Sequence, residues 1–527
     1  MRHVGVAVFS AISMFICRPV LAAPPLEDYG KLPAVEHMRL SPSGDKIAYI
    51  AVDQDRRRVV IKKVGGAALV AVDVGVLKAR AVTWLGDDHV LVETSQTLLG
   101  DPSTEAIARG EFFQSSIIDA STGKVFNVFQ NEPKILPATY SYYGFGTEGS
   151  KQYAFFGGVT LSDRGTGFSD FATAGGKGYL SHGHPDLYKV DLDTGHSLKV
   201  AGGSELHGTS WLVDALGRVM VHEEYNLGGA WRLYTGAGDS ILIAQADDPI
   251  GDIGLEGLGR VEGSVMVQGV GANGDFTDLE YLLKPGAAPT EPFGGRGMKA
   301  FLRDPGTGLL MGGVTNEDNP ETILFDPNLQ AKFDKVRRAL PGEAVTLAAA
   351  TGSLDRMILF AHGPGDSGTY FLVDYPTRKI EAIGWEYPTI LQGDVAATRT
   401  VSYKAADGLD MQGILTLPPG REAKGLPLVV MPHGGPESRD YESFDWWAQA
   451  FAARGYAVFQ PNFRGSNGFG KAFRDAGDGQ WGRKMQTDVS DGMAELVRQG
   501  IVDPKRACIV GASYGGYVAL SGVTVQQ

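Results

Sequence analysis

The sequence predicts a seven-bladed β-propeller followed by an incomplete α/β-hydrolase domain. Three observations carry this: paired short hairpins repeat from Leu40 to Ile383, apolar strands alternate with helical spacing after Thr400, and a Gly-x-Ser-x-Gly turn surrounds Ser513.

Each repeat is a turn leading into an apolar strand, then a hairpin with Asp, Gly or Pro at its tip. SPSGDKIAYI from Ser41 and TGSLDRMILF from Thr351 are first parts; SIIDASTGKVFNV from Ser116 and TYFLVDYPTRKIEAI from Thr369 are second parts. The hairpin tips fall at Gly65, Gly123, Gly195, Gly236, Gly286, Asn328 and Thr377, which makes seven units. Most intervals lie near the roughly 40–50 residues of a four-stranded propeller blade. Two longer ones contain insertions at Leu98 to Gly110 and Leu161 to Gly183, read as loops. A β-sandwich or barrel is the alternative, but so many even repeats exceed what one sandwich normally holds. The high glycine count, 72 against 27 prolines, fits a chain of many tight turns.

The expected partition is a signal peptide over 1–23, the propeller with an N-terminal extension over 24–395, and the hydrolase segment over 396–527. The first residues place Arg2 before an apolar run from Val4 to Cys17, with small residues before Pro24, the pattern of a cleavable export signal. Arg18 and Pro19 interrupt that run, so it is short for a membrane span. A periplasmic or secreted protein without a membrane anchor after cleavage is expected. A net charge of −13 argues against nucleic acid or an anionic membrane as partner. Cys508 is then the only cysteine, read as a small buried hydrophobe in the strand before Ser513.

In the last stretch, Ala507 to Val510 reads as a strand that turns sharply at Ser513 into a helix starting near Tyr514. Gly511 and Gly515 suit such a turn because a side chain at either place would strike the neighbouring strand or helix. Upstream, PLVVMPHGGP from Pro427 is an apolar strand ending in His433, Gly434, Gly435 and Pro436, a turn able to aim backbone amides at a carbonyl oxygen. Tyr456 to Gly470 gives the next parallel strand and a Gly-rich loop, with helical spacing between them at Trp446 to Arg454.

HGGP at His433, NFRGSNGFG from Asn462, Trp481 with Gly482, the Asp488 and Asp491 pair and GASYGGY from Gly511 occur in this order. Over about the last 130 residues the chain resembles the prolyl oligopeptidase family of serine peptidases, closest in motif to its acylaminoacyl-peptidase and dipeptidyl-peptidase-like branches. The resemblance implies Ser513 as nucleophile, the amides of Gly435 and Tyr514 as oxyanion hole, short peptides as substrates, and a propeller that restricts access. No Walker lysine, Rossmann fingerprint or EF-hand loop appears in the sequence, and no cofactor and no metal is expected.

One feature departs from the pattern. In α/β-hydrolases an acid and then a histidine follow the nucleophile, whereas only 14 residues follow Ser513 and none is Asp, Glu or His. Of the ten histidines only His433 lies in the hydrolase segment, in the oxyanion turn and not in the place of a base. The expectation is a chain truncated after the elbow and inactive by itself. An esterase of the same fold, or a propeller binding protein with a hydrolase remnant, are the alternatives.

Other features carry less. His182 and His184 lie two apart without a third ligand nearby, and are read as a polar loop. Glu223 and Glu224 are read as solvated surface against the possibility of gripping a substrate amino group, Trp446 and Trp447 as helix-to-sheet packing, and Asp488 and Asp491 as partners of Arg464 or helix caps.

Overall fold

The computed structural model describes residues 23–524, apart from 100–108, 163–169, 174–175, 181–183, 205, 227–228, 238–239, 249–250, 272–275, 318, 341–343 and 364. The export-signal reading and His182 lie outside the described residues.

Seven antiparallel sheets follow one another from Val35 to Trp385, each a propeller blade. Five hold four strands; the blades built from Gly254–Leu282 and Met298–Leu324 hold three. The tips at Gly65, Gly123, Gly195, Gly236 and Gly286 all have positive φ, between 66° and 76°. Glycine adopts this conformation without the penalty that a Cβ would bring.

Asn328 departs from the expected hairpin. It lies in the helix Pro327–Arg337, where the Asp326 side chain accepts from Asn328 N and Pro327 opens the first turn. Asp-Pro-Asn serves a turn or a helix cap equally well, and Phe333 and Val336 decide for the helix by burying against Leu347 and Leu359. The described parts of the two insertions are strands and not loops. At the first, the ends of the paired strands His89–Leu99 and Arg109–Asp119 enter the insertion, whose residues 100–108 lie outside the described ones; in the second, Leu161–Ser162, Gly176–Leu180 and Asp170–Thr173 form a three-stranded sheet.

The ring closes between its first and last blades without sharing a strand. Met38, Leu40 and Ile47 pack against Ile358, Tyr370 and Leu372, and Arg356 donates to the Gly44 carbonyl at 2.9 Å and to Asp45 at 2.6 Å.

The hydrolase sheet contains β1 (Ala397–Lys404), β2 (Asp410–Leu417), β3 (Leu426–Val430), β4 (Ala457–Asn462) and β5 (Val502–Ile509) in the order β1-β2-β4-β3-β5. The first two form the expected hairpin, and β3 runs parallel to both β4 and β5. Helices α1 (Trp446–Ala452), α2 (Lys484–Arg498) and α3 (Tyr514–Thr524) accompany it, with a short helix, Lys471–Asp475, between the first two. Phe459, Phe463, Met485, Val489, Leu496 and Val518 are buried in one core between sheet and helices.

Cys508 is exposed, contrary to expectation. It stands on β5, which is the sheet's edge, and Arg506 and Ala507 beside it are exposed too. Trp447 packs on Met431 and Val429 as expected, whereas Trp446, stacked on it at 5.9 Å, stays 47 % exposed.

Candidate active site

Parallel register builds the site. Leu428, Val429 and Val430 pair with Ala507, Cys508 and Ile509, and Val510 N donates to the Val430 carbonyl at 2.9 Å. The turns leaving β3 and β5 therefore emerge side by side at the carboxyl edge of the sheet, where α/β folds place their ligands.

Ser513 sits at the tip of the second turn with φ of 55°, left-handed backbone that a non-glycine residue adopts at a cost. It is exposed. The two flanking glycines permit this bend: a Cβ on Gly511 would enter the backbone of Gly515, and one on Gly515 would enter the carbonyl of Pro432. A Cβ position built on Gly434 lies 3.4 Å from Ser513 Cβ and 3.8 Å from its Oγ, so the HGG turn faces the serine directly. Gly435 has φ of 117°, again open to glycine.

Tyr514 begins α3, so its amide is one of the first-turn donors that no intrahelical carbonyl reaches. Its ring is buried, between Phe463 at 5.3 Å and Trp481 at 4.8 Å, which pins the start of the helix beside the serine. Burial raises its hydroxyl pKa, and the hydroxyl contacts only the Met485 sulfur at 3.4 Å among the described residues.

His433 is close in sequence to this turn but is fully engaged. Its Nδ1 donates to the Gly434 carbonyl at 2.7 Å, its Nε2 meets the Ser466 hydroxyl at 3.0 Å, and its ring stacks on Phe463 at 4.4 Å. Burial first, with the nearby Arg439 adding, lowers its pKa to about 4, so it is a neutral brace for the turn. The Ser466 hydroxyl also lies 2.6 Å from the Phe463 carbonyl, so its single proton is shared between that carbonyl and Nε2. The sequence reading gave Ser466 no role, although it stands inside the NFRGSNGFG loop.

Arg464 anchors that loop from below. It donates to Asp488 through Nε and Nη2, each at 2.7 Å, and to Asp407 at 2.9 and 3.0 Å. Asp488 is thus the expected partner of Arg464, while Asp491 accepts from the Ala406 amide at 2.7 Å. Neither caps α2.

In the propeller, Glu223 is neither solvated nor free to hold a substrate. It is buried and accepts from Ser210 Oγ at 2.5 Å, Trp231 Nε1 at 2.7 Å and the Leu255 amide at 2.9 Å, which ties two blades together. Glu224, on the opposite strand face, meets His207 Nε2 at 2.8 Å. Among the described residues no cluster of three metal-ligating side chains forms.

Residues 442–527 match the sequence profile of the prolyl oligopeptidase family. Dipeptidyl aminopeptidase BIII of Pseudoxanthomonas mexicana is 32 % identical over 232 residues, which are 42 % of this chain and 33 % of that protein. Dipeptidyl peptidase family member 6 of Caenorhabditis elegans is 36 % identical over 143 residues, 23 % of this chain and 19 % of that one. The matched stretches thus span a third or less of these relatives. The fold is shared more widely. A Pyrococcus horikoshii acylaminoacyl peptidase superposes with a TM-score of 0.63 at 15 % identity, over 96 % of this chain and 77 % of that one. A Mycobacterium tuberculosis puromycin-hydrolyzing peptidase gives 0.61 at 18 %, over 96 % and 78 %. Over residues 442–527, which hold the ordered motifs around Ser513, the chain is thus similar to the prolyl oligopeptidase family, and its propeller followed by a hydrolase segment shares the fold of the two superposed peptidases.

Proposed function

We propose that the chain carries the acylation half of a serine peptidase for short peptides, with Ser513 as nucleophile. The observation that supports this best is the left-handed, exposed Ser513 facing the HGG turn. In this reading Ser513 Oγ attacks the scissile carbonyl, the C–N bond breaks, and the amine leaves with the serine proton, so that the acyl group stays on Oγ, as an acyl-enzyme, until water hydrolyses the ester. The amides of Gly435 and Tyr514 hold the negative charge that develops on the carbonyl oxygen. The dipeptidyl aminopeptidase named above is consistent with a peptide substrate.

Turnover by these residues alone is slow in this proposal. A serine hydroxyl needs a base to take its proton, and His433 has both ring nitrogens engaged. Hydrolysis should therefore lie on the order of 10⁴-fold or more below that of an ordinary serine peptidase. The test is hydrolysis of aminoacyl and dipeptidyl arylamides, with simple esters in parallel, by the purified chain and by Ser513→Ala. Rapid peptide turnover lost in Ser513→Ala would overturn the slow-turnover part; ester hydrolysis without any peptide hydrolysis would favour an esterase.

Export belongs to the same proposal and rests on Arg2 and the Val4 to Cys17 run. N-terminal sequencing of protein recovered outside the cytoplasm tests it, with Ala23 or Pro24 as the expected first residue.

A further inference from the structure

Residues from the first strands of all seven blades line a cavity of about 610 Å³. Two guanidinium groups line it, Arg39 on Val35–Leu40 and Arg303 on Met298–Arg303. The strand between them, Ala344–Ala350, presents Ala348, Ala349 and Ala350 to the cavity, so no side chain larger than a methyl group fills the gap at that level.

Neither cation has a carboxylate within salt-bridge distance among the described residues. Arg39 donates to the Met38 carbonyl at 3.0 Å; Arg303 donates to the carbonyls of Glu256 at 2.8 Å, Leu258 at 2.5 Å and Gly308 at 3.3 Å. Those partners are neutral, and a guanidinium carries five donors, so both keep N–H groups unassigned. Burial lowers the pKa of each, that of Arg303 to about 10, with the Glu256 carboxylate the opposing influence on Arg303. Glu256 and Asp304 also line the cavity, but neither carboxylate stands within salt-bridge distance of Arg39 or Arg303, so the two half-buried cations lack a direct ion pair, which is unfavourable. A bound carboxylate would relieve it and would match the planar fork of each guanidinium.

The cavity is far larger than an inorganic anion requires and is walled on other blades by Trp84 and Tyr143. We propose that this cavity binds the free carboxylate of a short peptide between Arg39 and Arg303, with the peptide's side chains against Trp84 and Tyr143. The anion site stands on the cavity's own charges; naming a peptide as its ligand rests on the peptidase reading above.

The test is calorimetric titration of the Ser513→Ala chain, which prevents turnover, with N-acetyl-Ala-Ala-Phe as the free acid, the same peptide as its C-terminal amide, and inorganic phosphate. The acid should bind at least tenfold more tightly than the amide, and phosphate should not displace it. Arg39→Met should remove the preference while melting no lower than its parent, since it deletes a half-buried cation that lacks a direct ion pair and keeps the stem's bulk. Arg303→Lys, which retains charge but not the fork, should weaken the acid to an intermediate degree. Equal binding of acid and amide, no binding of the acid, displacement by phosphate, or an unchanged preference in both variants would overturn the proposal. Failure of Ser513 to take a fluorophosphonate on prolonged exposure would sink the peptidase reading and leave this titration unaffected.

Discussion

Replacing Asp488 by alanine should cost far more than replacing Asp407, although both hold Arg464. Asp488 is fully buried and takes three hydrogen bonds from Arg464, two from the guanidinium and one from the backbone amide at 3.1 Å. Arg464 itself has a side chain only 5 % exposed. Removing one partner of such a pair strands the other charge, at about 3–5 kcal/mol. Because Asp407 still holds the guanidinium through two bonds, Asp488→Ala belongs at the low end, about 3 kcal/mol. Asp407 is 36 % exposed, so water replaces it, and Asp407→Ala should cost about 1 kcal/mol. Urea unfolding followed by tryptophan fluorescence measures both, since Trp446, Trp447 and Trp481 report on the hydrolase segment. Equal losses, or a larger loss for Asp407→Ala, would refute the claim that the buried half of the network holds the Arg464 loop.

Gly515→Ala should destabilise by about 2–3 kcal/mol, because the new methyl meets backbone that cannot rotate away; an unchanged urea midpoint would contradict the close approach to Pro432. His433, held neutral with its pKa near 4, binds a proton less readily folded than unfolded. Its contribution is complete above the unfolded value near 6.5 and is lost as pH falls towards 4, by up to about 3 kcal/mol. His433→Gln should flatten the stability profile in that window, while His362, lowered to about 4 by burial first and then Lys299, keeps part of the slope. Burial, with Asp445 adding, raises Asp440 to about 7, and one of its oxygens has no partner. Asp440→Asn should therefore stabilise the protein at pH 8 by at least ~1 kcal/mol, and a loss there would count against the burial argument.

The parts of this structure that were legible in sequence are those where one residue type answers one steric demand. Glycine at 65, 123, 195, 236 and 286 marks left-handed hairpin tips, which is why the blade spacing was visible. Gly511 and Gly515 mark close backbone approach in the same way. Asp326-Pro327-Asn328 was not legible because a turn and a helix start use the same residues, and distant packing by Phe333 chooses between them. Strand alternation placed Glu223 and Glu224 on opposite faces, but only Ser210, Trp231 and Leu255, gathered by the fold, explain why one of them is buried. Cys508 is exposed because its strand is the sheet's edge, a property of topology and not of the local sequence. His433 could be recognised as a member of the turn; that Ser466 and Phe463 hold it neutral required the loop's path.

The most direct test is a crystal structure of the chain after prolonged exposure to a fluorophosphonate. The account predicts one phosphonyl group on Ser513 Oγ, with its oxygen about 2.7–3.1 Å from the amides of Gly435 and Tyr514. Modification of a different serine, or a Ser513 adduct whose oxygen points into solvent away from both amides, would contradict it.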